Sequence, residues 1–245
     1  MGIRSVANNI ANEIYSKYVI REESEGKPCC NNLVSIVSAG DFIKYGVKPQ
    51  PGAVLNRVYG ALSEDSSVFV AGDSAADLIL TQNIKKELKN SDFYRKVRVN
   101  SVMVNRYGNA NKLADYNVGS LNGLGKLVTS EGCDFLVCDW DNTLVQCFLK
   151  KSVSHKEVTK SNMNRFGMGL PVRLGFGLFI LYDTVLSAVR VNKRKFYRGS
   201  EDDLNNFFDI MKDGNVRVVL NSLCPGPVIK GMLNKKGIKY SKNGF

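Results

Sequence analysis

The sequence has only one histidine, His155, and its six cysteines form no Cys-x-x-Cys pair. A zinc site with the usual cysteine and histidine spacing is therefore not expected. The first residues contain no long apolar run, so we expect no secretory signal and a reducing, intracellular and cytoplasmic location. Hydrophobic residues make up 44% of the 245 residues and charged residues 23%, which excludes a disordered or collagenous chain.

Acidic residues are scarce in one part of the chain, residues 145–199. This segment contains eleven Lys and Arg but only two acids, so it carries nine of the eleven net positive charges. Such a block indicates an anionic partner: a phosphorylated substrate, nucleic acid or an anionic membrane surface. A solvated basic surface that only keeps the protein soluble is the alternative.

Within the basic segment, residues 174–189 are strongly apolar, but they are too short and too interrupted by Asp183 to predict a membrane span. A buried helix and a helix lying on an anionic membrane, which would give peripheral membrane association, are both open. Lys193, Arg194 and Lys195 precede aromatic residues, a mixture that is typical of phosphate-tracking and base-stacking surfaces.

Short apolar runs alternate with helical patterns along the rest of the chain. Strands are predicted at residues 68–71, 97–104, 135–138 and 216–220, with a last short strand from Ile238. Helices are predicted at residues 6–18 and 52–62, and around 80–88, 204–211 and 228–233. Continuously apolar strands that alternate with helices predict an α/β fold in which helices cover both faces of a parallel sheet.

Polar residues follow three of these strands at the point where each ends. Asp73 and Asp77 follow the first strand, Asp139 and Asp141 follow the third, and the fourth runs into Asn221 and Ser222. In open parallel sheets, ligands bind at the edge formed by the carboxyl ends of the strands. Clustered carboxylates at that edge suit a hard divalent cation, above all Mg²⁺ with phosphate. The alternative is that Asp73 and Asp139 only cap the turn or helix that follows each of them.

These residues resemble a known family. Residues 139–143, Asp-Trp-Asp-Asn-Thr, match the D-x-D-x-T signature of the haloacid dehalogenase (HAD) superfamily of phosphohydrolases. Ser222, three residues before Pro225, resembles the family's second motif. Residues 48–51 (KPQP) resemble its third motif, and residues 72–77 (GDSAAD) resemble its fourth. Four motifs in their expected strand or helix context are far more specific than any one of them.

The order of the motifs differs from that of the family, because here the third and fourth precede the first and second. The sequence therefore resembles a circularly permuted HAD fold, a Rossmann-like doubly wound parallel sheet with an inserted basic cap. The resemblance divides the chain into three parts, which are residues 1–144 (first part of the core), 145–200 (basic cap) and 201–245 (remainder of the core).

The resemblance implies a Mg²⁺-dependent phosphatase that acts through an aspartyl-phosphate. Asp139 would be the nucleophile and Asp141 the general acid and base, while Lys48 and Ser222 would stabilise the phosphoryl group. The metal ligands would be Asp139, Asp141 (through its backbone carbonyl), Asp73 and Asp77. Substrate contacts are expected from Asn142, Thr143, Asn221, Lys193, Arg194 and Lys195.

Two role assignments have alternatives. Lys44 is the alternative to Lys48, but it lacks the following proline. Asn221 is the alternative to Ser222, which is preferred for its offset from Pro225. For the whole chain, the second functional hypothesis is a catalytically weak or inactive HAD-like protein whose basic cap binds nucleic acid or an anionic membrane.

Overall fold

The computed structural model describes residues 33–38, 41, 50–105, 110–141, 143–145, 201–222, 224, 226–241 and 245. The strands are β1 Val34–Val37, β2 Ser67–Gly72, β3 Arg98–Val104, β4 Tyr116–Val118, β5 Phe135–Asp139 and β6 Arg217–Asn221. The helices are α1 Gly52–Val58, α2 Ala75–Lys89, α3 Leu121–Ser130, α4 Glu201–Asp213 and α5 Gly226–Lys235. Strands and helices alternate, as the sequence predicts, except that no helix among the described residues lies between β3 and β4.

The strands form one six-stranded sheet in the order β1-β6-β5-β2-β3-β4. Every neighbouring pair is parallel. Strand β5 therefore lies between β2 and β6, and the three strands that end in polar residues are neighbours. Their carboxyl ends share one edge of the sheet, called the carboxyl edge below.

Helices cover both faces of the sheet, which confirms the predicted doubly covered α/β architecture. The first face packs on α1 and α2, through a core that includes Val54, Leu80 and Ile84. The second face packs on α3, α4 and α5, through a core that includes Leu124 and Phe207. Because both faces are buried, the central strands are apolar throughout rather than alternating.

The predicted strands at 68–71, 97–104, 135–138 and 216–220 correspond to β2, β3, β5 and β6, with ends that differ by a residue or two. Helix α1 is shorter than the predicted helix at 52–62, because it ends at Val58. Leu62, the last residue of the predicted range, is nevertheless buried in the core beside α1.

The predicted last strand does not begin at Ile238, because residues 238–240 belong to no strand. Among the described residues from there on, only Ser241 makes a single bridge, to Ser35 of β1. The position beside β6 is taken by β1, whose four residues are all buried. The segment after Gly237 alternates between exposed and half-buried residues, with Lys239 exposed, so it cannot fill a buried strand position.

Two predicted elements lie outside the described residues, the helix at 6–18 and the apolar segment 174–189 with the rest of the basic cap. Within the described part of the chain, no helix combines the length and apolar character needed to cross a membrane.

Candidate metal centre and active site

Asp139 is the last residue of β5 and is 6% exposed. The loop after it turns tightly, because the backbone N–H groups of Leu144 and Val145 both donate to the carbonyl of Trp140. The Trp140 side chain is buried in the core of the second face, so it packs beneath the loop. Asp139, one residue earlier, is directed to the opposite face of the sheet, on the side of α1 and α2.

Asp73 and Asp77 lie where β2 passes into α2. Ser74 is the N-cap residue of α2, and its backbone N–H and hydroxyl donate to Oδ2 of Asp77 at 3.1 and 2.6 Å. Asp77 is thus half of a capping box, which fixes its carboxylate at the start of the helix. The N-terminal cap of α2 is therefore formed by Ser74 and Asp77, whereas Asp73 lies directly before the cap.

Gly72 explains how the buried Asp77 carboxylate comes so close to the sheet. A Cβ atom on Gly72 would lie 2.1 Å from Cγ of Asp77, a distance that no pair of carbon atoms can adopt without displacement. The absence of a side chain at position 72 therefore creates the space into which Asp77 folds.

Asp73, Asp77 and Asp139 meet at the carboxyl edge. Each offers a carboxylate oxygen that lies within 4.8 Å of the others, and Asp77 and Asp139 are buried. Oxygen ligands lie about 2.0–2.6 Å from Mg²⁺ or Ca²⁺, so two ligands of one ion are separated by no more than about 5 Å. The triad therefore has the spacing and the donor type of a divalent cation site. Without a cation, carboxylates this close repel one another.

The side chains at positions 141 and 222 contact each other. The fully buried Ser222 hydroxyl donates to Oδ2 of Asp141 at 2.5 Å, and its oxygen accepts from the backbone N–H of Cys224 at 2.8 Å. Asp141 is half-buried and does not belong to the carboxylate triad. This is compatible with the implied role of its backbone carbonyl, rather than its side chain, toward a metal.

Thr143 and Asn221 flank Asp139. The buried Thr143 hydroxyl donates a long hydrogen bond of 3.4 Å to Oδ2 of Asp139, which suits a residue that orients the carboxylate. Asn221 ends β6 as the Cα partner of Asp139 and is 1% exposed. Its Oδ1 has no hydrogen-bond partner among the described residues.

The remaining site predictions concern Lys48, Lys44, Asn142, and Lys193 to Lys195, which lie outside the described residues. Pro51, the last residue of the KPQP motif, is the N-cap of α1. Sequence reasoning did not identify the cap formed by Ser74 and Asp77, although the Ser-x-x-Asp spacing indicates one.

Searches against known protein families, curated proteins and solved structures find no match to this chain.

Proposed function

We propose that the protein is a Mg²⁺-dependent phosphatase of circularly permuted HAD type, acting through an aspartyl-phosphate intermediate. The observation that carries the proposal is the approach of the Asp73, Asp77 and Asp139 carboxylates to within 4.8 Å. Asp139 is more than sixty residues from Asp73 and Asp77 in the sequence, and it meets them only because β2 and β5 are neighbours. A fold with no use for a cation gains nothing from burying carboxylates together.

The donor set fits the metal that the resemblance implies. Carboxylate oxygens are the ligands that Mg²⁺ prefers, and the proposal assigns them to Asp73, Asp77 and Asp139. A bound Mg²⁺ would neutralise the negative charge of the site and of the phosphoryl group. Oδ2 of Asp77 accepts hydrogen bonds from the Ser74 N–H and hydroxyl, so the capping box would hold the carboxylate in place for the ion.

The covalent step uses Asp139 as the nucleophile. A carboxylate oxygen of Asp139 forms a bond to phosphorus while the bond from phosphorus to the ester oxygen breaks. Thr143, which donates to Oδ2 of Asp139, orients the carboxylate for this attack. A carboxylate nucleophile carries no proton, so the attack needs no base to activate Asp139.

Asp141 is assigned the proton transfers. As an acid it donates a proton to the departing ester oxygen, and as a carboxylate it then removes a proton from the water that attacks the aspartyl-phosphate. The hydrolysis releases inorganic phosphate and returns Asp139 to its starting form. The hydrogen bond from Ser222 holds Asp141 at the correct edge of the sheet for both steps.

The permuted topology receives support from the strand order. The strands that carry the first, second and fourth motifs are β5, β6 and β2, and they are adjacent at the centre of the sheet. The motifs therefore share one edge although their order along the chain is changed. In this proposal Lys48, which precedes the N-cap Pro51 of α1 by three residues, supplies a positive charge to the phosphoryl group.

The proposed substrate is an anionic phosphomonoester. The strongly basic segment 145–199 is inserted between the residues that end β5 and those that begin α4, so its charge enters the chain directly after the site. Nucleotides, phosphorylated nucleic-acid ends and phospholipid headgroups match this charge. The second hypothesis, a catalytically weak protein whose basic segment binds nucleic acid or membrane, draws on the same charge but does not account for the acid triad.

The test is a phosphate-release screen over nucleotides, end-phosphorylated oligonucleotides, sugar phosphates and phospholipids, with and without Mg²⁺. We expect Mg²⁺-dependent release that Asp139→Asn abolishes, and a beryllofluoride complex that forms only with metal and not in Asp139→Asn. Asp92→Asn, at an exposed position away from the site, is the matched control. Equal release by the Asp139→Asn variant would refute the nucleophile assignment.

Binding to a polyanion that is strong and salt-dependent, in a protein that releases no phosphate from any substrate, would favour the second hypothesis.

A further inference from the structure

One row of side chains crosses the carboxyl edge on the face covered by α1 and α2. In the strand ladder Val37 is the Cα partner of Asn221, and Asn221 is the partner of Asp139. Two residues earlier, the partners Val219 and Val137 both belong to the core of that face. Side chains two positions apart on a strand share a face, so Asn221 and Asp139 point the same way. Because adjacent strands are about 4.8 Å apart, the two side chains lie next to each other.

The two flanks of Asp139 in this row differ in charge. On the β2 side, Gly72 has no side chain, and the carboxylate of Asp77 fills the space that a side chain would take. The acid triad therefore occupies that flank. On the β6 side stands Asn221, and beyond it the apolar Val37. The polar neighbour of Asn221 within the row is therefore Asp139, together with any group bound to it.

The side-chain amide of Asn221 is buried, but its oxygen accepts no hydrogen bond from the described residues. The residue is 1% exposed, and Oδ1 has no hydrogen-bond partner among the described residues. A buried amide oxygen without a partner costs free energy, and a phosphoryl oxygen, itself an acceptor, cannot pair with it in this orientation. A half-turn of the amide about its last torsion exchanges the oxygen for the NH₂ group, so the same position can present a donor to an anion.

The Ser222 hydroxyl, in contrast, already donates its only hydrogen bond within the protein. A serine hydroxyl has a single donor, and here it points to Oδ2 of Asp141 at 2.5 Å. The Ser222 oxygen also holds the backbone N–H of Cys224. Ser222 could donate a hydrogen bond to a phosphoryl oxygen only by giving up its hydrogen bond to Asp141.

We infer that Asn221, rather than Ser222, is the side chain of β6 that contacts the phosphoryl group at Asp139, and that Ser222 positions Asp141. This inference rests on the proposed phosphatase function and assigns two of its roles. The Asn221 amide donates to a phosphoryl oxygen on the flank opposite the metal ligands. Ser222 touches no substrate and acts through the Asp141 carboxyl group, which in its acid form protonates the leaving group.

The first experiment measures the affinity of inorganic phosphate by calorimetry, in Mg²⁺, for the unchanged protein and for three variants. We expect Asn221→Ala to lose about tenfold in affinity, as for the loss of one hydrogen bond to a charged group. Ser222→Ala should stay within about threefold of the unchanged protein. Asn122→Ala, at an exposed position of α3, is the matched control. Loss of phosphate affinity in Ser222→Ala but not in Asn221→Ala would overturn the inference and leave the phosphatase proposal intact.

The second experiment uses Asn221→Asp, which keeps the shape of the side chain and replaces the amide with a carboxylate. An anion contact predicts that this variant binds phosphate at least about tenfold more weakly, whereas Mn²⁺ affinity without phosphate does not fall. If Asn221 is instead a metal ligand, Asn221→Ala will weaken Mn²⁺ binding when phosphate is absent, and the inference is wrong. Thermal unfolding of each variant shows whether it is folded.

The third experiment tests the positioning role of Ser222 through the leaving group. If Ser222 holds the general acid, Ser222→Ala should lower kcat by about tenfold for an alkyl phosphate, which needs protonation, and much less for 4-nitrophenyl phosphate. Ser222→Thr, which keeps the hydroxyl, should restore kcat. Equal losses for both esters would show a structural role only and would overturn this part. If the unchanged protein with Mg²⁺ neither binds phosphate nor hydrolyses either ester, the phosphatase proposal fails and the inference fails with it.

Discussion

Ser222 and Asp141 are joined by a 2.5 Å hydrogen bond that ties the end of β6 to the loop after β5. The same serine oxygen accepts from the backbone N–H of Cys224, so one buried hydroxyl connects two loops of the candidate site. The Asp141 carboxylate lies outside the triad formed by the other acids.

Ser222→Ala should lower the free energy of unfolding by about 1–3 kcal/mol, because it leaves the buried Cys224 N–H without its acceptor. Urea unfolding monitored by circular dichroism measures the change. Ser130→Ala is the control, since that hydroxyl is exposed and bonds only within α3. An unfolding free energy equal to that of the unchanged protein would show that the loops do not depend on this hydroxyl.

Gly72→Ala should weaken divalent cation binding by displacing Asp77. The new methyl group would lie 2.1 Å from Cγ of Asp77, and the carboxylate must leave both the triad and its bond to Ser74. We expect at least a tenfold loss of Mn²⁺ affinity by electron paramagnetic resonance, since about 1.4 kcal/mol of lost binding energy already has that effect.

The control for Gly72→Ala is Gly119→Ala. A Cβ atom at position 119 meets only the carbonyl oxygen of Asn105 at 3.7 Å, an ordinary contact. Unaltered Mn²⁺ affinity in Gly72→Ala would mean that Asp77 is not a ligand.

Asp139→Asn should change stability in opposite directions with and without metal. In a chelator, the substitution removes one of three repelling carboxylates, and relief of about 1 kcal/mol would raise Tm by about 2–4 °C. In Mg²⁺ at a hundred times its Kd, the unchanged protein gains about 2.7 kcal/mol, and a variant that lacks a ligand gains less. Differential scanning calorimetry in both buffers tests this reversal, with Asp92→Asn expected to show none. The same ranking in both buffers would contradict a metal site.

Asp115 should make stability depend on acid pH. Burial raises the pKa of its carboxyl group, but hydrogen bonds from the Ser101 N–H and hydroxyl and the ion pair with Lys85 outweigh burial, and the pKa lies below its usual value. A depressed pKa stabilises the fold above the unfolded-state pKa, and this stabilisation disappears as the pH falls through the folded-state pKa.

Asp115→Asn should therefore destabilise the protein at about pH 7 and have progressively less effect below about pH 4. Chemical unfolding at a series of pH values measures the difference. A destabilisation of the same size across the whole range would show that the charge of Asp115 is not its cause.

The strands that position the site could be predicted from the sequence because they are short, continuously apolar runs that end in polar residues. β5, for example, is an uninterrupted apolar run that ends at Asp139. By contrast, β4 has three residues, none of them buried, so no hydrophobic pattern marks it. Helix α3 was not predicted either, although Leu121, Leu124 and Val128 form a buried stripe after the capping residue Ser120.

The convergence of the acids requires that β2 and β5 are neighbours, which the sequence does not show. Strand order depends on how helices of both faces pack, and no local pattern encodes it. The roles of Asn221 and Ser222 depend on register as well, because a shift of one residue would exchange the faces to which they point. Residue type and spacing therefore favoured Ser222, whereas the ladder places Asn221 beside Asp139.

The most direct measurement of the central claim is borohydride trapping during turnover of a phosphomonoester, followed by mass spectrometry. Borohydride reduces an aspartyl-phosphate to homoserine, which marks the residue that carried the phosphoryl group. The proposed mechanism predicts homoserine at position 139, formed only when Mg²⁺ and substrate are both present. Mg²⁺-dependent phosphate release with no reduction at position 139, or with reduction at another carboxylate, would contradict it.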